Sequence, residues 1–200
     1  MAMKYGRLHR WLLALLIAGL PSGLYGIYVY DQGNFHEVSE DRFYRSRQLD
    51  AAQLESYIRK YHIRSILNLR GKNLGEGWYQ DEIRITQQLS VMHYDYGISA
   101  NRDLDDARIE DILEILRTAP KPILIHCKSG ADRTSLVTAL TLYTVEGKPA
   151  EEAAGQLSLW YGHLPFFGNS TEAMDRTFWR YVSSHPVTAR IPTRASTTVP

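Results

Sequence analysis

The sequence holds one cysteine, Cys127, in 200 residues. That excludes an intrachain disulfide and a zinc site built on several thiolates. A lone cysteine is commonly a small buried hydrophobe, so Cys127 is judged by its neighbours. Charge of one sign is scarce: 23 Lys and Arg against 22 Asp and Glu leave a formal charge of +1. A dedicated nucleic-acid binder would carry a basic excess, which is missing here. No internal repeat is visible. Hydrophobic residues at 44% and charged residues at 22% fit an ordinary globular chain and exclude disorder over most of its length. That length suits one domain plus appendages.

The first ten residues carry Lys4, Arg7, His9 and Arg10 and no acid, and residues 11–30 carry no charge at all. At ~1.5 Å per residue such a run spans about 30 Å, the hydrocarbon thickness of a bilayer. Trp11 at one end and Tyr25, Tyr28 and Tyr30 near the other resemble interfacial aromatic belts. The expectation is one transmembrane anchor. The basic flank would stay in the cytoplasm, with the remainder of the chain on the periplasmic, outer side of a bacterial-type inner membrane. Pro21 and Gly23 allow a kink. A cleaved signal peptide, with 12–20 as its apolar region, is the competing reading. A buried core helix also competes, though the basic flank disfavours it.

From residue 31 to 185 strands alternate with helices. Residues 31–42 read as a polar juncture and 43–46 as a short strand. Asp50 and Gln53 read as an N-cap pair, followed by Leu54, Tyr57, Ile58 and Tyr61 at helical spacing. Residues 63–69, 91–98 and 122–126 read as strands. Residues 78–89, 104–117, 134–145, 150–161 and 171–183 read as helices. The predicted fold is α/β, a central, largely parallel sheet flanked by helices, with ligands beyond the carboxyl ends of the strands. The tail 186–200 reads as disordered.

The chemistry concentrates in one strand-loop-helix segment. Cys127 ends the strand, and Arg133 stands six residues later where a helix begins. Between them the backbone N–H groups of Lys128, Ser129, Gly130, Ala131, Asp132 and Arg133 can form an anion-binding nest, backed by the helix N-terminus. Gly130 permits the angles such a turn needs. A thiol placed there is favoured as thiolate, and Arg133 can grip two phosphate oxygens. His126 is read as orienting the loop, and Thr134 as a hydrogen-bond donor to the sulfur.

The stretch HCKSGADRT (126–134) resembles the His-Cys-x5-Arg-Thr signature of the protein-tyrosine and dual-specificity phosphatase superfamily. FYRSRQL (43–49) and SILNLRG (65–71) resemble strands of its bacterial dual-specificity-like branch. The resemblance covers about residues 35–185. It departs at Ser135, where a Gly commonly follows the Thr. It implies a phosphoric monoester hydrolase working through a phosphocysteine intermediate, with no metal or cofactor. A buried structural cysteine, a rhodanese-like sulfurtransferase and a pseudophosphatase are the weaker alternatives.

The resemblance also implies a general acid. The loop 97–106 offers Asp103, Asp105 and Asp106, with Asp103 nearest to where the family places it, although Asp103 or Asp105 would equally cap the next helix. Asp132 is the rival, since some lipid phosphatases carry Asp before the signature Arg. Asp95 ranks lower because it falls within a strand. Lys128, Arg133 and, more loosely, Arg45, Arg70 and Lys72 suggest a basic pocket for a multiply charged substrate. The substrate classes left open are a phosphorylated protein and a membrane phospholipid. A phosphate-binding module without turnover is the non-enzymatic reading.

Overall fold

Along the central strands the side chains alternate between two apolar layers, as a period of two requires. The computed structural model describes residues 31–165 and 170–186. Its strands are β1 (His36–Ser39), β2 (Phe43–Ser46), β3 (Ser65–Asn68), β4 (Met92–Asp95) and β5 (Ile123–His126), in the order β1-β2-β5-β3-β4. β2, β5, β3 and β4 run parallel, and β1 pairs antiparallel with β2 at one edge. Phe43, Leu67, Ile123 and Ile125 pack into one layer with α3 (Asp106–Thr118), α4 (Asp132–Leu140) and α6 (Glu172–Ser184). Tyr44, Ile66 and Leu124 pack into the other with α1 (Ala51–Lys60) and α2 (Gly77–Gln88). The expected α/β sandwich with a largely parallel sheet is therefore the observed one.

Local signals explain most of the boundaries. Asp50 caps α1 by accepting the Gln53 N–H at 2.8 Å, as its spacing predicts. Asp105 caps α3 through the Arg108 N–H at 2.9 Å. α4 is buried on nearly every side from Thr134 to Leu140, its Thr and Ser hydroxyls included.

Three segments differ from the sequence reading. The polar juncture contains β1, whose residues HEVS lack an apolar alternation because the strand lies at the sheet edge. The helix expected over 134–145 starts two residues earlier and ends in a π turn, Thr141–Val145, where Glu146 N–H reaches Thr141 O at 3.1 Å. The helix expected over 150–161 is a short α5 (Ala150–Ala154) and a 3-10 turn, Leu159–Tyr161. Tertiary contacts override helical propensity there: the Tyr161 ring lies 3.8 Å from the Arg45 guanidinium, and the Tyr161 carbonyl accepts from Asn34 at 3.0 Å.

Among the described residues no helix is long and apolar enough to cross a membrane. The expected anchor at 11–30 and nearly all of the tail 186–200 lie outside the described residues.

Leu113 on α3 is fully buried in the layer beneath α4. Leu113→Ala is expected to cost about 2–5 kcal/mol of stability, read as a lower urea midpoint at unchanged slope.

Candidate active site

The strand β5 delivers Cys127, 1% exposed, to the carboxyl edge of the sheet. The chain then turns through Lys128–Ala131 into α4, whose N-terminus has no side-chain cap. Lys128 and Ser129 are exposed, whereas Gly130 and Ala131 are buried. Gly130 has φ +72°, and a Cβ there would lie 2.6 Å from Arg47 N and 2.7 Å from the Ser46 carbonyl carbon and oxygen. Only glycine lets the loop lie so close to the end of β2. Gln48 N–H donates to Lys128 O at 3.2 Å, and Asn34 Nδ2 donates to Ser129 O at 3.2 Å. Arg133, in the first turn of α4, donates through Nη1 to Leu69 O (3.3 Å) and Ile98 O (3.4 Å), just beyond β3 and β4.

Arg45 is not part of a basic pocket. It projects from β2 on the Phe43 face and is fully buried beneath α4. Its Nη2 donates to Gly130 O and Ser135 Oγ, both at 2.8 Å, and its Nη1 to Gln156 Oε1 at 2.6 Å and Thr138 Oγ1 at 3.3 Å. A strand alternates faces, so a charge at the position i+2 from Phe43 must point inward. Ser135, the departure from the family signature, supplies one of the acceptors.

His126 is buried, with Nε2 3.2 Å from Glu82 Oε1 on α2. The same carboxylate meets His93 Nε2 at 2.7 Å and accepts from Gln48 Nε2 at 2.7 Å. Burial alone would raise the Glu82 carboxyl. The charge and hydrogen bond of His126, with the bonds from His93 and Gln48, outweigh burial and hold it well below the usual carboxylate range. The orienting role expected for His126 thus has a physical anchor. The Thr134 hydroxyl is buried without a hydrogen-bond partner, so the expected bond to the sulfur is not formed here.

The candidate acids separate cleanly. Asp103 is exposed and accepts from Arg176 Nη2 on α6 at 2.8 Å. Asp106 pairs with Arg180 of the same helix, and Asp105 is the α3 cap. Asp95 ends β4, bonded to Asn68 Nδ2 (2.8 Å) and Tyr79 Oη (2.6 Å). Asp132 opens α4 on the loop itself, and its Oδ1 lies 2.8 Å from Nδ1 of the buried His163. Sequence reasoning missed Glu82 and His163.

Beside the loop opens a cleft of about 810 Å³, lined among others by Asn34, Arg47, Arg70, Trp78, Lys128 and Tyr161. Arg70 lies 3.5 Å over the Trp78 ring. Burial lowers the Arg70 pKa and the charge of Arg133 lowers it further, so the two guanidiniums share one electropositive region. Lys72 is exposed and outside the cleft lining. Among the described residues no group of three or more His, Cys, Asp or Glu side chains is arranged to hold a metal ion.

A cysteine at the carboxyl end of a central strand, a tight turn and an arginine in the first turn of the next helix mark the class of tyrosine phosphatase-type hydrolases. The chain belongs to the tyrosine phosphatase family, whose model matches residues 25–152. No curated protein sequence matches the chain. Its fold is similar to that of P. aeruginosa TpbA, at 23% identity over 72% of this chain and 84% of that one, with a TM-score of 0.57. A TpbA variant in complex with pTyr is similar at 22% identity, 74% and 90% coverage and a TM-score of 0.57. The core catalytic domain of the PP-IP phosphatase Siw14 from S. cerevisiae follows at 20% identity, 76% and 91% coverage and a TM-score of 0.56.

Two substitutions test this architecture. Gly130→Ala places a methyl group against backbone atoms of Ser46 and Arg47, and is expected to lower aryl phosphate turnover about 100-fold by displacing the loop. Glu82→Gln removes the buried charge that His126 and His93 share. A loss of about 3 kcal/mol is expected, seen as a melting temperature lower by about 6–12 °C.

Proposed function

We propose that this chain hydrolyses phosphomonoesters without a metal, through a phosphocysteine intermediate, on proteins bearing phosphotyrosine, phosphoserine or phosphothreonine. Cys127 attacks as thiolate: an S–P bond forms, the P–O bond to the leaving alcohol breaks, and a carboxylic acid gives that oxygen its proton. Water then attacks phosphorus, the S–P bond breaks, and the same carboxylate takes the proton from water. Arg133 and the N–H groups of residues 128–133 stabilise the charge on the transferring phosphoryl group. The observation that carries this reading is Cys127 at the end of β5, followed by the turn 128–131 into a helix N-terminus that no side chain caps. Capture of pTyr by a TpbA variant of similar fold supports a phosphotyrosine substrate.

The proton donor is Asp103 or Asp132. Asp103 would have to act while tied to Arg176, and Asp132 while tied to His163. A second substrate, the phosphorylated headgroup of a membrane lipid, is favoured by Arg47, Arg70 and Lys128 around one cleft. The uncharged run 11–30 would hold the domain at an inner membrane, on its outer side.

The test is turnover of an aryl phosphate in EDTA. Wild type is expected to remain active and Cys127→Ser to lose activity by at least about 1,000-fold. Full activity of Cys127→Ser removes the nucleophile assignment, and loss in EDTA restored by a divalent cation removes the metal-free route. A panel of phosphopeptides against phospholipid headgroups separates the substrates. The acid is whichever of Asp103→Asn and Asp132→Asn lowers kcat far more on esters with a poor leaving group than on those with a good one.

A further inference from the structure

The loop is flanked by a strap, residues 161–163, that shares its cleft and meets it at three points. Asn34 Nδ2 joins the carbonyls of Ser129 (3.2 Å) and Tyr161 (3.0 Å). Gly162 lies against Ala131, where a Cβ added to Gly162 would sit 3.7 Å from the alanine methyl. His163 then meets Asp132 Oδ1 through Nδ1 at 2.8 Å. The His163 side chain is fully buried, and its Nε2 meets Asp175 Oδ2 of α6, also at 2.8 Å. A neutral imidazole donates through one nitrogen only, so carboxylates on both nitrogens call for the imidazolium.

We infer that His163, held as a cation between Asp132 and Asp175, is a positioning residue that keeps the helix end of the phosphate loop in its anion-receiving shape, so that losing its proton limits activity at high pH. The kinetic readout of this inference rests on the phosphatase reading above. The charged groups facing the ring are Asp132 from α4 and Asp175 from α6. On the strap, the Tyr161 ring is covered by Arg45, and Arg176 beside Asp175 is committed to Asp103 and Glu172. Burial alone would lower the imidazolium's pKa. The two carboxylates outweigh burial and raise it from 6.5 to about 9. A value raised in the folded state gives stability that is complete below 6.5 and is lost as pH rises through about 9.

The experiment uses the full chain, an aryl phosphate for turnover and inorganic phosphate as a binding probe. Wild-type kcat/KM is expected to fall as pH rises through about 9. His163→Gln keeps an amide donor group on one side only and carries no charge. Its kcat/KM is expected to be about 10- to 100-fold lower near neutral pH, with inorganic phosphate bound more weakly by a similar factor and the alkaline fall absent. Asp175→Asn removes one charge away from the loop and is expected to move the alkaline fall to lower pH. His163→Gln with wild-type kcat/KM and an unchanged alkaline fall overturns the inference. Should that variant not fold, Asp175→Asn decides: an unmoved alkaline fall overturns the inference and a shifted one supports it. Wild type that binds phosphate without turning over ester fails the phosphatase reading alone, and the phosphate affinities of the variants across pH then judge His163.

Discussion

A guanidinium removed from water costs several kcal/mol unless its donors are met, and this fold places one, Arg45, directly under the loop, with Nη1 and Nη2 bonded and Nε buried without a partner. The requirement shapes what surrounds it. Gly130 must turn its carbonyl inward to accept from Arg45, and in a planar trans peptide that sends the following N–H of Ala131 the opposite way. Ser135 must be a hydroxyl rather than a bare glycine, and Gln156 must come in from beyond α5. The arginine and its neighbours thus hold the loop from the core side, and the Ala131 N–H turns to Ser129 Oγ at 3.4 Å.

A second organiser lies on α6, far along the chain from the signature. Asp175 reaches the loop through His163, and its neighbour Arg176 holds Asp103. Thr177 Oγ1 accepts the Leu104 N–H at 3.1 Å, and Arg180 binds both Asp106 and the Leu104 carbonyl. One helix therefore fixes both carboxylates that compete for the role of proton donor. The hydroxyl and charges that do so sit beside the apolar Ala173, Met174 and Phe178 that dock α6 on the core.

Much of this was legible in the sequence. The apolar runs of β3 and β5, the Asp50 cap and the spacing of Cys127 and Arg133 are local patterns, and local patterns survive folding here. Arg45 misleads because charged residues are so rarely buried. Its signal is the alternation with Phe43, which puts both on one face. Glu82 hides for the same reason, an acid in an amphipathic helix where exposure is the default. His163 carries no local mark at all, since its partners lie 31 and 12 residues away. β1 is lost because an edge strand needs little apolar surface, and Val38 alone packs against the core.

Asn34 carries one more consequence. It lines the cleft and bonds both the loop and the strap, yet it stands only four positions after Tyr30. A chain extends at most about 3.5 Å per residue, so that leash is no longer than about 14 Å. The cleft therefore stands within that distance of Tyr30, the last residue of the uncharged run 11–30.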